Sequence, residues 1–330
     1  MQSRFPHPTI FAAPFTCPEG DLTGSISHIN SRQSDDPNKE PQPDDFICDI
    51  EPKSPAVILS KVDVYVSTSV TLSVLALKQW ANYQDRFRYV YADTDIKFVS
   101  SKAPGVAGLH TKEIMWAIRI LLCHFSRNTY VAVSLMVEYD KNPPIGFGQV
   151  LSTAPISGNS SVDGSMTNGT TKTSIDTQSG TFNNTQSLSQ PLIGQNTETN
   201  DITITDLHSG GEAFRPYNIY SILSSIFVSE AEYDDKDAAT PGVVGFDNNR
   251  EWSIAVIATS VQAMENLTHR TIILALANLA IRMPTVTPAR LRWHELNFRV
   301  RSNGAIVGRG YLRKEATPPS VTANDTVAIQ

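Results

Sequence analysis

Two stretches decide the fold when they are set side by side: residues 111–148, TKEIMWAIRILLCHFSRNTYVAVSLMVEYDKNPPIGFG, and residues 268–310, THRTIILALANLAIRMPTVTPARLRWHELNFRVRSNGAIVGRG. In the first, Ile114, Ala117, Ile118, Leu121, Leu122 and Phe125 recur at the spacing of one helical face after Thr111 as an N-cap. Ile272, Ala275, Leu276, Leu279, Ala280 and Met283 repeat that spacing after Thr268. Alternating residues follow in both copies, Val131 to Tyr139 and Leu296 to Val300, as in half-buried strands. Each strand runs into a turn, Asp140 to Pro144 in one copy and Ser302-Asn303-Gly304 in the other. The Asn-Gly pair is a type I′ hairpin signal. A returning strand then carries Gly146-Phe147-Gly148 or Gly308-Arg309-Gly310.

Upstream, the spacing predicts helices over Thr71–Trp80 and Tyr217–Phe227. Strands are expected at Ile96–Val99 and Trp252–Ile257, with Val62–Tyr65 and Ile202–Thr205 preceding the helices. Each unit therefore reads β-α-β-α-β-β. The offset between copies is 158 residues at the second helix and 162 at the Gly-x-Gly, which places the extra residues in loops. The predicted class is α+β: two tandem, internally duplicated units, each a mostly antiparallel sheet with helices on one face. They are expected to pair about a pseudo-twofold axis, because one sheet with half-buried helices leaves edges and apolar surface to be covered.

Composition sets the boundaries. Residues 1–55, with DDPNKEPQPDD near their end, lack a sustained apolar period and read as a disordered arm. The first unit is expected over 56–151 and the second over 201–315, with a flexible Ser/Thr/Asn/Gly-rich linker over 152–200 and a disordered tail over 316–330. The linker holds the sequons Asn159-Ser-Ser, Asn168-Gly-Thr and Asn183-Asn-Thr. They matter only on a secretory route, and the proline-broken N-terminus does not read as a signal peptide. No run of 18 apolar residues is present, so an intracellular protein with no membrane association is expected. Three scattered cysteines, Cys17, Cys48 and Cys123, exclude a disulfide framework or CxxC cage and suit a reducing compartment.

The stretch from Leu267 to Lys314, with DITITDLHSGGEAFRPYNIYSILSSIF upstream of it, resembles the C-terminal unit of a group of uncharacterised fungal proteins. In that group an amphipathic helix leads to a strand, a short turn and a closing V-G-x-G-x-L strand. The first unit is similar to the group's N-terminal half through its IMWAIRILL helix. The resemblance implies a two-unit architecture and a fungal source. The group has no established activity, so it carries over no site.

Candidate chemistry is sparse. Gly146/Gly148 and Gly308/Gly310 sit inside strands, whereas a dinucleotide loop needs G-x-G-x-x-G between a strand and a helix. They are read as leaving room for a neighbour. His294-Glu295 opens like a zinc-protease HExxH, but Phe298 stands where the second His is needed. His124 and Cys123 are adjacent on a helix and point about 100° apart, which does not suit a Cys/His dyad, so Cys123 reads as core. The acids Glu230, Glu232, Asp234, Asp235 and Asp237 read as a solvated loop, and Asp93 with Asp95 has no supporting acid–base partner. No catalytic residue, metal site or cofactor is expected.

The sharpest anomaly is electrostatic. The 330-residue chain has 27 Lys+Arg against 33 Asp+Glu, yet Arg282 to Lys314 holds seven Arg and one Lys against the single acid Glu295. Strand parity puts Trp293, Arg299 and Arg301 on one face of one strand, and Arg309, Tyr311 and Arg313 on one face of the next. Rings interleaved with arginines suit single-stranded RNA. Three functions are therefore expected, in order. The first is a non-enzymatic interaction or scaffold protein with a protein partner or self-association. The second is a metal- and cofactor-independent enzyme of the cyclase or isomerase type of fungal secondary metabolism, with a small-molecule pocket between the units. The third is RNA binding through the basic face.

Overall fold

The computed structural model describes residues 10–12, 42–140, 142–153, 202–239, 241–247, 251–286 and 292–315. Most of the expected N-terminal arm, the linker beyond 153 and the tail from 316 lie outside these residues.

A short strand, β1 (Ile10–Ala12), precedes the first unit. That unit comprises β2 (Phe46–Pro52), α1 (Lys61–Ala76), β3 (Arg86–Tyr91), β4 (Thr94–Ser100), α2 (Thr111–Arg127), β5 (Val133–Tyr139) and β6 (Gly146–Ser152). The second comprises β7 (Thr203–Ala213), α3 (Pro216–Glu230), β8 (Gly242–Phe246), β9 (Trp252–Ala258), the single turn α4 (Val261–Met264), α5 (His269–Arg282), β10 (His294–Ser302) and β11 (Ala305–Lys314). The sheets run β2-β5-β6-β4-β3 and β7-β10-β11-β9-β8, the same order strand for strand and antiparallel throughout. β1 joins the second sheet as a sixth strand, parallel to β8.

The α+β duplication thus stands, with one strand more per unit than expected: β-α-β-β-α-β-β. The added strands are β3 and β8, each the outer arm of a hairpin with the strand that follows it. The first unit's N-terminal half also differs from the expectation. Val62–Tyr65 is not a strand but the opening of α1, whose N-cap Ser60 accepts a hydrogen bond from the Asp63 amide at 3.4 Å. The unit's first strand is β2, which begins ten residues before the expected boundary at 56. The reason is burial. Every residue of α1 from Val64 to Ala76 is buried, so it has no polar face to set against an apolar stripe, and its alternating Val62, Val64 and Val66 mimic a strand. Its hydroxyls bond back to the helix: Thr68 Oγ1 donates to the Val64 carbonyl at 2.8 Å and Ser73 Oγ to that of Val70 at 2.8 Å.

The four long helices lie between the two sheets. Helix α1 packs on β3 and β4 of its own sheet and on α3 and α5 of the second unit, while α3 packs on β8 and β9 and on α1 and α2. Exchanging α1 with α3 and α2 with α5 maps these contacts onto themselves, as a pseudo-twofold pair requires. Near the axis the rings of Tyr65 and Tyr220 stack at 5.2 Å and 9°, and Tyr65 meets Tyr130 hydroxyl to hydroxyl at 2.6 Å. A buried Glu230–His269 contact of 2.8 Å ties the end of α3 to the start of α5, with the Tyr233 ring stacked on the imidazole at 4.5 Å. Glu230 therefore does not belong to a solvated loop, and Asp235 pairs with Arg270 at 2.9 Å. Asp95 is likewise enclosed by Arg88 and Lys97, at 3.0 and 2.8 Å. Cys48 is a free buried thiol, whereas Cys123 is disulfide-bonded, which amends its reading as a plain core thiol.

The glycine pairs make room, as the sequence suggested, but for a ring on the adjacent strand. A Cβ on Gly310 would fall 2.0 Å from the Phe298 ring, and one on Gly148 would fall 2.8 Å from that of Phe98. Asn303 and Gly304 have φ of 51° and 78°, the pair of positive values that a type I′ turn needs.

Three outcomes follow. Gly310→Ala should cost about 1–3 kcal/mol in urea unfolding, because a buried ring must shift, whereas Gly210→Ala, with open space around it, should stay within about 0.5 kcal/mol. Tyr65→Ala should cost about 3–5 kcal/mol, and its far-UV circular dichroism and tryptophan fluorescence transitions should coincide, since the helix layer is shared by both units. Burial lowers the His124 pKa from 6.5, so the unfolded chain takes up that proton first as the pH drops. Stability is thus unaffected by His124 above about pH 6.5 and falls below it, and His124→Asn should flatten that part of the pH–stability curve.

Candidate functional site

The outer face of the second sheet carries the arginines. On β10, Leu296, Phe298 and Val300 turn inward and Asn297 and Arg299 outward; on β11, Val307, Gly310 and Leu312 turn inward and Arg309, Tyr311 and Arg313 outward. Asn297 stands opposite Tyr311 and Arg299 opposite Arg309. On the other side, β7 makes a bulge at Asp206, which has φ 52° and breaks the register between Asn297 and Arg299. The bulge brings both Asp206 and His208 to the outer surface, where His208 Nδ1 sits 2.7 Å from the Asp206 carbonyl. These strands, with Ile257 and Ala258 of β9, wall an open cavity of about 590 Å³ over the backbone of Phe298 and Gly310.

The six residues expected on the basic face divide. Arg299, Arg309 and Tyr311 line the cavity. Arg301 lies at its margin, with Nε donating to Thr205 Oγ1 at 3.3 Å and Nη1 to the Gly304 carbonyl at 3.0 Å, so it braces the hairpin turn. Arg313 stacks on the Tyr311 ring at 4.3 Å and pairs with Glu315 at 3.3 Å. Trp293 is elsewhere: at φ 63° it departs from strand geometry, and its ring packs on buried Tyr220 at 6.0 Å. The parity count fails there because one left-handed residue reverses the direction of its side chain. The HExxH-like segment is accounted for by the fold. His294 Nδ1 lies 3.0 Å from the Gly211 carbonyl, and Glu295 accepts from the Lys314 amide at 2.7 Å.

The cavity's electrostatics are uneven. Arg299 reaches Asp206 at 3.3 Å, both about half exposed, a pair worth under about 1 kcal/mol. The Arg309 guanidinium, directly across from Arg299, has no ion pair or hydrogen bond among the described residues, nor does the Asn297 side-chain amide or the Tyr311 hydroxyl. Partial burial raises the Tyr311 pKa, keeping the phenol a proton donor. The site therefore gathers hydrogen-bond donors around one anionic side chain, Asp206. Asp206, His208 and Asn297 escaped the sequence reading because a bulge and cross-strand pairing, not spacing along the chain, assemble them.

The same grid in the first unit has other chemistry. Ser134 stands opposite Gln149 and Met136 opposite Phe147, the positions of Asn297/Tyr311 and Arg299/Arg309. Val99, beside Phe147, matches Ile257 beside Arg309. Phe147 is 46% exposed, so that face presents an apolar row where the second presents arginines. Comparison with family models, with curated proteins and with solved structures gives no match.

Arg299 and Arg309 face each other with one carboxylate between two charges. Arg309→Gln should therefore stabilise the protein by about 0.2–1 kcal/mol in low-salt urea titrations. The gain should vanish at about 1 M salt, where screening acts within about 3 Å.

Proposed function

We propose that the chain is a non-enzymatic interaction protein in which two duplicated units form a rigid frame that presents two unlike sheet faces. The observation that carries this reading is the divergence at matched positions. Inward residues keep one pattern in both sheets, while outward Met136 and Phe147 correspond to Arg299 and Arg309. Surfaces that differ in this way on a common scaffold suit recognition of different groups, one apolar and one anionic.

Two other readings are less well supported. An enzyme with a pocket between the units would draw its lining from both, whereas the cavity described above draws its lining from the second alone. RNA binding along the whole face loses Trp293 as a stacking platform. Arg299, Arg301 and Arg313 are also engaged within the protein, which leaves Arg309 and Tyr311.

The test is affinity capture on the full-length tagged chain from its native host, with and without ribonuclease, in parallel for Phe147→Asp and Arg309→Glu. A stoichiometric protein that survives ribonuclease and drops at least tenfold with either substitution is the expected result. Recovery dominated by RNA, lost in Arg299→Glu with Arg301→Glu, would replace this reading with the nucleic-acid one. Capture of nothing above the background of an untagged control would move the enzyme reading ahead.

A further inference from the structure

The geometry points to a phosphate-monoester site in the cavity on the outer face of the second sheet, held by Arg309 and Arg299 with Asn297 and Tyr311. This rests on the interaction reading, because it takes that face as a working surface. Arg299 and Arg309 occupy directly opposed positions on β10 and β11, so their side chains leave neighbouring points of the sheet and rise over the same cavity. Two like charges so placed repel each other, and Asp206 offsets only the first, through an exposed contact that costs little to give up. An anion lodged between the guanidinium groups turns that repulsion into attraction.

The donor set selects the anion. Arg309 offers a guanidinium fork, Asn297 an amide and Tyr311 a hydroxyl, all with no protein partner among the described residues and all on the wall of one cavity. A carboxylate brings two oxygens in one plane and meets one fork. A phosphate monoester brings three oxygens in a pyramid and close to two negative charges, which matches donors arriving from several directions. On the β9 side, Ile257 and Ala258 add an apolar wall where the organic part of the ester can rest. The first unit supplies an internal contrast. With Met136, Phe147, Ser134 and Gln149 on the same grid, it lacks both cations.

Small metabolites and phosphorylated side chains both carry phosphate monoesters, and the two sources share this recognition. The experiment is isothermal titration of the full-length chain at constant ionic strength with phenyl phosphate, inorganic phosphate, acetate and a phosphoserine peptide beside its unphosphorylated form. Phenyl phosphate should bind at least tenfold more tightly than acetate. Arg309→Gln should weaken it at least tenfold and Arg309→Lys by less, since lysine keeps the charge but loses the fork. Lys102→Gln, an exposed cation of the first unit that lies by Asp85, should change it less than twofold. Circular dichroism checks that each variant is folded. A peptide that binds tenfold better than phenyl phosphate identifies a phosphorylated protein as the source, and equal affinity identifies a small ester. Acetate binding as tightly as phosphate, or an unchanged affinity in Arg309→Gln, would overturn the site. If partner capture still depended on Phe147 or Arg309, the interaction reading would survive that failure.

Discussion

The enclosure of α1 is the constraint on which the rest of this structure depends. A helix buried along thirteen consecutive residues has no side left for water, and one sheet covers only one side of it. The remaining cover comes from α3 and α5, which belong to the other copy. By the same logic α3, buried from Ile219 to Glu230, needs α1 and α2. Neither unit therefore has a complete core alone. The pseudo-twofold arrangement follows from two identical deficits meeting, and the stacked Tyr65 and Tyr220 rings mark where they meet. Serine and threonine are frequent in both helices, where their small size lets helices approach and the Thr68, Ser73 and Ser224 hydroxyls donate to carbonyls of their own helix.

Placing the helices inside leaves the outward positions of Arg299 and Arg309 in the second sheet, and of Met136 and Phe147 in the first, at least partly exposed. The inward residues are held to a shared pattern, down to the glycine that accommodates a phenyl ring in each copy. The outward residues at matched positions carry no such requirement. This explains how an arginine pair on one sheet can stand where a methionine and a phenylalanine stand on the other without disturbing either core.

How legible this was in the sequence depended on how many sides of each element are buried. Helices α2 and α5, with one wetter side, show their stripe in the sequence, and Thr268 caps α5 where expected by accepting from the Thr271 amide at 3.2 Å. The Asn303-Gly304 turn was legible because its conformation is a local property of those residues. Helix α1 was misread as part strand because much of its cover comes from α3 and α5 of the other unit. Strand β2 was hidden by the acidic, proline-rich context of Phe46–Pro52, and β3 and β8 by the hairpins that join them to the strands that follow. The candidate site was legible in part. Arg299, Arg309 and Tyr311 were found by parity on regular strands, whereas parity misplaced Trp293, whose backbone is left-handed, and missed Asp206 and His208, displaced by a bulge.

Strand β1 gives the architecture a feature that duplication alone would not. It precedes the first unit in sequence, yet it lines up with β8, at the border of the second unit's sheet. The polypeptide thus threads its start into its second half, and the first unit is bracketed in sequence by pieces of the other. Cutting the chain in the linker would not yield two equivalent half-molecules. The C-terminal half would keep every strand of its own repeat but expose the β8 border, with unpaired amides and carbonyls open to another chain. The N-terminal half would carry a strand whose place lies on the missing partner. The two repeats share a plan, but the chain is wired so that only the intact molecule closes it.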